Sequence, residues 1–577
     1  MVSTPASSPF ARASALLKSG KPTAFTSSDS VLVSSSQATP ILLSLLIVAT
    51  SYLAWQLFAP VKNARIKGSS IRTLAASIPR LGQVAFYKTR ESFLYRVLGR
   101  PEEALDAQAY HPSAVRFNVG QHNIIVSGDH QDASTFFNTR ALSFTKGYSV
   151  LFGGTPKDPD TEPEVAARNR AQDDKYMVFF DKNLKQAIRG ERLADLTPDM
   201  VEDCLKDYEH FFANNTGNGK LDPHMDVYPL IFQLSVRTVG LAEHASNAAA
   251  AREMYDAYWS IERETNYWST LWPNLPLRSN HKRKENSKKL FTMIHEAITK
   301  RIEDKRSEDD QVQRMIDDET STIDIVRWCV GSLFAAVVNS SSMSAWLLIF
   351  VGAQPELRQR VKQEIVETLR KGAEERGDDY ESLPTLEALR RVPLEQWEGT
   401  ASSVADRKNG SGAFPLLHAC LKETMRHVLR GTFFRYFAGQ NESDKFANSK
   451  VQIGGHDVNS GDFLAYWIAG THQNSRIYRD PQRFDPDRFA IRKEGNGPLE
   501  FIGWGASHHV CGGRRFAQLE IIIVVATFLM CFDYETVDLQ GRPYSAETCP
   551  SADTDNNWRG PSKPVRLSYR RAADFKA

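Results

Sequence analysis

Residues 41–59 read ILLSLLIVATSYLAWQLFA, 19 positions without a charge. At 1.5 Å per residue such a run covers a hydrocarbon core of ~30 Å, so the pattern predicts a single transmembrane helix over 39–60. The stretch before it, 1–38, is rich in Ser, Thr and Ala and follows neither helical nor strand period, which predicts a disordered tail. Lys62, Arg65, Lys67 and Arg72 follow the apolar run. By the positive-inside tendency they place everything downstream in the cytosol. A secretory leader would be shorter, nearer the start and followed by a small-residue cleavage site. A buried core helix and an organelle transit peptide are the competing readings. A second apolar run, 328–350, is also long enough to span, but its centre carries Asn339, Ser340, Ser341 and Ser342. Four polar residues are costly in lipid and cheap beside a polar cavity. That run predicts a long helix through the middle of a globular domain.

Alternation over 114–119 and 123–127, around Gly120 and Gln121, predicts a hairpin. From 163 to 305 the apolar positions recur with helical spacing, as in 200–212 and 254–264, and Pro273 and Pro276 divide the block. The basic run 281–289, HKRKENSKK, reads as a solvated helix face, with anionic lipid as the alternative contact. Residues 371–412 are polar throughout and predict an inserted loop. Short strands follow at TFFRYFAG (432–439), KVQIGG (450–455) and DFLAYWIAG (462–470), and a final helix at 513–531. The fold class is therefore mainly α with small β sheets, preceded by a single transmembrane helix.

Composition narrows the function. A chain of 577 residues that is 41% hydrophobic can bury a large core, and its formal net charge of +2 excludes a dedicated nucleic-acid binder. The cysteines Cys204, Cys329, Cys420, Cys511, Cys531 and Cys549 are scattered with no CxxC pair, against a disulfide framework or zinc module. Cys511 differs in its setting, WGASHHVCGGRRFA (504–517). Gly505 permits a tight turn, and Gly512 and Gly513 let the backbone pass close to a flat ligand. A thiolate just before a helix N-terminus is stabilised by the N–H groups there and suits one face of an iron centre. A buried structural cysteine is the plainer alternative.

This stretch resembles the haem-ligand loop of the cytochrome P450 superfamily, Phe-x-x-Gly-x-x-x-Cys-x-Gly-x-x-x-Ala. Aligned on Cys511, Trp504 stands for the Phe and Ser507 for the first Gly, while Gly513 and Ala517 match. Ser507 puts a Cβ where the family has none, so the loop must avoid positive φ or tolerate strain. Glu423 and Arg426 match the family's ExxR pair, and Arg488 in PDRF (486–489) matches the arginine that completes a Glu–Arg–Arg network. Glu303/Arg306 and Glu387/Arg390 share the spacing and read as exposed pairs. The resemblance runs from about residue 75 to the C-terminus. It implies a P450 haem domain over 61–577 holding haem b (iron-protoporphyrin IX), with Cys511 as axial ligand. Trp504, Gly505, Gly513, His509 and Arg435 would be cofactor-binding, the last two toward the propionates. Arg189 is a candidate for the arginine of the WxxxR motif.

In the central helix the family carries Ala-Gly-x-(Asp/Glu)-Thr, whose acid and alcohol relay protons toward dioxygen. Here 335–340 reads AAVVNS, with Val338 at the acid position and Asn339 at the alcohol position. That variant, with Trp504, resembles the sterol 7α- and 12α-hydroxylases and prostacyclin synthase. Asn339 and Ser340, with water, would be the catalytic pair. The resemblance implies a monooxygenase that oxidises a lipophilic small molecule (terpenoid, steroid or polyketide-like) with O2. Its electrons would come from NADPH-cytochrome P450 reductase docked near Arg514 and Arg515. The location would be the endoplasmic reticulum membrane, single-pass, with the catalytic domain cytosolic. Glycosylation at Asn214 would invert that topology. A haem-thiolate isomerase or dehydratase acting on a peroxide without O2, and a non-catalytic haem-binding protein, are the alternatives. Specificity loops are expected near 139–155 and 267–277.

Overall fold

β1 (Arg72–Thr73) runs parallel to β2 (Val115–Val119), which turns at Gly120, φ +56°, into antiparallel β3 (His122–Ser127) with Val115 opposite Val126. Further along come β4 (Leu142–Ser143), β5 (Asn218–Leu221), β6 (Thr432–Phe437), β7 (Gln452–Ile453), β8 (His456–Asp457), β9 (Phe463–Trp467), β10 (Phe532–Val537) and β11 (Arg566–Arg571). The largest sheet has the order β1-β2-β3-β9-β6-β4; β10-β11-β5 and β7-β8 form two smaller ones. The aromatic and branched side chains of TFFRYF and FLAYW make β6 and β9 good strands, and they pair antiparallel with Arg435 opposite Leu464. The hairpin lies where alternation placed it, and strands form within all three late segments.

This architecture belongs to a computed structural model that describes residues 71–77, 81–105, 114–120, 122–151, 173–214, 218–265, 269, 275–399, 413–439, 450–554 and 560–576. The expected tail and anchor, 1–60, lie outside the described residues. Among the described residues, one helix is long and apolar enough to cross a membrane, Thr322–Gly352, and 72% of its apolar window is buried in the protein.

The helices that build the site are α1 (His130–Asn138), α2 (Phe144–Leu151), α3 (Asp173–Ala187), α4 (Gly190–Asn214), α5 (Pro223–Val239), α6 (Ala248–Arg263), α7 (Arg278–Glu303), α8 (Thr322–Gly352), α9 (Pro355–Arg376), α10 (Pro415–Val428) and α11 (Arg514–Cys531). α8 is the expected central helix. Ser321 caps it by accepting from Asp324 N at 3.2 Å. Trp328 and Trp346 are fully buried, and α5, α7, α10 and α11 pack around the helix. Being apolar on nearly every side, it can only be a core element or a membrane span, and tertiary packing makes it core.

One expectation changes, at the polar segment. Residues 371–412 are not a single loop: α9 continues to Arg376, and helical turns follow at Thr385–Arg390 and Leu394–Trp397. Leu389 and Trp397 are fully buried there, so a few irregularly spaced apolar anchors fasten a polar segment to the core; 400–412 lie outside the described residues. The basic run 281–289 is part of α7, and Lys282 and Lys289 cross to Glu264 and Glu253 at 3.4 and 2.9 Å. Of the expected specificity loops, 139–151 folds as β4 and α2, while 152–155 and most of 267–277 lie outside the described residues.

Candidate active site

The cysteine loop is held by its own backbone. Cys511 N donates to Trp504 O at 2.7 Å, Gly505 N to Ile502 O at 3.0 Å and His509 N to Ala506 O at 3.0 Å. Gly505 sits at φ +74°, and a Cβ there would stand 2.3 Å from the His509 carbonyl, so this position requires glycine. Ser507 is at φ +53°: the loop takes the strained conformation despite the Cβ, at a cost of about 1 kcal/mol. Gly513 differs, since its φ of −89° is ordinary and a Cβ would meet open space. Protein atoms therefore do not demand a glycine at 513; a flat ligand drawn close to Cys511 would.

Cys511 precedes α11, and the Gly513 N–H points at its sulfur. Of the six cysteines it alone is exposed, although the protein around it still acts as a low-dielectric wall. Burial pushes the thiol up, against the Gly513 N–H and the Arg514 charge, which pull it down. The helix-terminus effect expected from sequence is present but outweighed; coordination to a metal deprotonates a thiol outright. Arg514 lies over the Trp504 ring at 5.8 Å, while Arg515 is tied to Glu398 (Nη2 to Oε2, 2.9 Å).

Behind the loop, three charges share one buried knot. Arg426 grips Glu423 through two hydrogen bonds of 2.8 Å, and both side chains are fully buried. Arg488 Nε donates to Glu423 Oε1 at 3.1 Å, its Nη1 to Glu494 Oε2 at 2.5 Å, and Asp485 N joins Glu423 Oε1 at 3.0 Å. Burial alone would raise the Glu423 carboxyl; the Arg426 charge and hydrogen bonds win and hold it far below the usual carboxylate range. The competing matches lie at or near the surface, Arg306 pairing with Asp304 and Glu308, and the half-buried Arg390 with Glu202. Arg189 lies between α3 and α4, half exposed, 3.9 Å from Glu191.

Arg435 tests whether an anionic cofactor fits. It is 1% exposed, yet no carboxylate among the described residues pairs with it, and its Nε has no hydrogen-bond partner. Its guanidinium lies 4.9 Å from the Phe136 ring centre and 5.2 Å from that of Phe144. Burial lowers its pKa to about 10, which still leaves a cation. A buried, unpaired cation is costly unless an anion comes to it, and a haem propionate is such an anion. Gly147 on α2 lets that helix lie against β6, since a Cβ would stand 2.7 Å from the Arg435 Cα. His509 stacks on Phe144 at 5.6 Å; burial, then the Arg435 charge, hold it neutral with a pKa of about 4. Phe136, Phe137 and Phe144 gave no sequence signal, because an aromatic box is assembled from α1 and α2 against β6.

On α8 the face carrying Ala335 and Asn339 is exposed and Val338 half-buried, in a helix otherwise enclosed. Ser340 points the other way, is 2% exposed and hydrogen-bonds the Glu520 carboxyl of α11. Ser235 of α5 donates to the same carboxyl, Oγ to Oε1, at 3.0 Å. Glu520 is fully buried, its Oε2 has no hydrogen-bond partner, and burial raises its pKa to about 8 against the two serines. Burial therefore favours its neutral, protonated form. Sequence reading passed over it, since a single acid in the apolar run of α11 gains meaning only when α5 and α8 pack on it.

The family model described as "Cytochrome P450" matches residues 101–390 and 407–551. Cytochrome P450 monooxygenase AacuE of Aspergillus aculeatus is 24% identical over 533 residues, 91% of this chain and 97% of the relative. Cytochrome P450 monooxygenase dmxR5 of Cryptosporiopsis sp. is 21% identical over 533 residues, 91% and 93% of the two chains. Lanosterol 14-alpha demethylase of Cunninghamella elegans is 22% identical over 424 residues, 68% and 73%. A thiol at a helix start, a buried Glu–Arg–Arg knot behind it and a lone buried arginine beside it agree with that match, so the chain belongs to the cytochrome P450 family and is a monooxygenase, an oxidoreductase with a haem-thiolate cofactor.

Proposed function

We propose that this monooxygenase oxidises a lipophilic small molecule of terpenoid, steroid or polyketide-like character, using O2 and electrons from NADPH-cytochrome P450 reductase. It sits in the endoplasmic reticulum membrane through 39–60, with the haem domain 61–577 in the cytosol and haem b as cofactor. The observation that carries the reading is Cys511, exposed within a low-dielectric wall, together with a fully buried Arg435 that has no carboxylate partner among the described residues. Bound haem supplies the redox chemistry that activates dioxygen. The chain's own groups do the rest. Cys511 Sγ would hold the iron, Arg435 and His509 would meet the propionates, and Trp504, Gly505 and Gly513 would shape the cradle. Ala335 and Val338 give the substrate an apolar wall, in keeping with relatives named for lanosterol and obtusifoliol.

Asn339 orients water on that wall; Ser340, on the buried side of α8, holds the Glu520 carboxyl as a proton reservoir behind a helix that lacks an acid at Val338. Val338, Asn339 and Trp504 keep the likeness to the sterol 7α/12α-hydroxylase and prostacyclin synthase group within this reading. The docking face for the reductase is Arg514, since Arg515 is engaged by Glu398. The test is the carbon monoxide difference spectrum of the reduced protein, then product formation with reductase and NADPH. Cys511→Ala is expected to abolish the thiolate-type spectrum. Turnover of an organic hydroperoxide with no use of NADPH would replace the monooxygenase reading with the isomerase one.

A further inference from the structure

One fully buried imidazole, His472, closes the short helix Ala469–His472 between the charge knot and the cysteine loop. Its carbonyl accepts from Arg426 Nη1 at 2.7 Å, and Gln473 Nε2 returns a bond to the Arg426 carbonyl at 3.2 Å. Its ring is held from both ends: Nδ1 lies 3.2 Å from Leu429 O, and Nε2 lies 3.1 Å from Ile502 N. A carbonyl can only accept and a peptide N–H can only donate. The ring is therefore neutral, with its proton on Nδ1 and its lone pair on Nε2 facing Ile502. Burial, then the Arg426 charge, lowers the ring pKa to about 3, so this tautomer persists at every pH where the protein works. Phe501 stacks on the ring at 5.2 Å and 17°, which fixes its plane.

The Ile502 peptide is the first strut of the cysteine loop. Its carbonyl accepts from Gly505 N, and two residues on, Trp504 O accepts from Cys511 N. Ile502 is fully buried, so an N–H without His472 would have no solvent to turn to.

We propose that His472 is a positioning residue for the iron ligand, carrying the fixed geometry of the Glu423–Arg426–Arg488 knot to the Ile502 peptide and so to Cys511. This rests on the haem-thiolate reading of Cys511. Without the Nε2 acceptor the Ile502 N–H must find another partner. The Trp504 carbonyl then moves, and the cysteine loop relaxes around its sulfur. Hydrogen bonding around a ligand tunes both bond and potential.

The experiment uses the full chain loaded with haem. His472→Phe keeps the stack on Phe501 and removes the acceptor; His472→Gln offers an amide oxygen to Ile502 N–H. The readouts are the iron–sulfur stretching band in resonance Raman spectra, the haem midpoint potential and the thiolate fraction of the reduced carbon monoxide complex. His472→Phe is expected to shift band and potential and to raise the protonated-thiol fraction severalfold, with His472→Gln returning toward wild type. Where His472→Phe fails to retain haem, His472→Asn, whose shorter amide leaves Ile502 N–H out of reach, takes the same readouts. A changed melting temperature with wild-type band and potential overturns the proposal, as does an equal shift in the Phe and Gln variants. The Cys511 reading fails separately, if Cys511→Ala keeps the iron–sulfur band.

Discussion

The two walls of the site solve the burial of polar groups in opposite ways. Beneath the cysteine, Glu423, Arg426, Arg488 and His472 are all buried and satisfy one another through charge-assisted hydrogen bonds. Across α8, Glu520 is equally buried but leaves Oε2 without a hydrogen-bond partner, as do the hydroxyls of Ser342 and Thr527. A closed network fixes a shape and tolerates no missing member. An open one keeps polar atoms poised for water or protons. The iron ligand needs the first, because a sulfur must stay where it is; proton handling needs the second.

Breaking the closed wall should cost most. Glu423→Ala strands two buried arginines and is expected to destabilise the fold by about 3–5 kcal/mol with loss of haem, read by denaturant unfolding and pigment content. The Glu423 pKa is depressed in the fold. Its contribution is therefore complete above the ordinary carboxylate value and is lost as the pH falls through the folded one.

The open wall responds to pH with the opposite sign. Glu520 titrates higher folded than unfolded, so between its ordinary value and about 8 the folded state holds the extra proton, and stability declines as pH rises. Glu520→Gln removes the proton site. Wild type should lose about 2 kcal/mol relative to the variant between about pH 5 and pH 7, measured by paired unfolding curves. Parallel curves would place an ionised carboxylate there and remove the contrast.

Arg435 gives the smallest effect and the sharpest one. Arg435→Leu is expected to weaken haem binding about tenfold or more, roughly 1.4 kcal/mol, while the haem-free chain melts no lower than wild type. Loss of stability without haem would mean that Arg435 is paired within the protein, and the cofactor fit would fall with it.

Local spacing determined what depends on neighbours along the chain. The 114–127 hairpin, the β6 and β9 strands, the central helix and the cysteine loop all lie where pattern or motif placed them, because period and backbone hydrogen bonding act over a few residues. Spacing could not rank three ExxR matches. Only burial did, enclosing Glu423 and Arg426 and leaving the other arginines paired at or near the surface. It misread 371–412, where single anchors such as Trp397 owe their burial to distant helices. It left the strain at Ser507 open, since the loop's hydrogen bonds rather than the residue choose that φ. The aromatic box around Arg435, the His472 strut and the neutral Glu520 were decided by tertiary structure alone. Each depends on desolvation by groups far away in sequence, and desolvation is what turns an ordinary side chain into a tuned one.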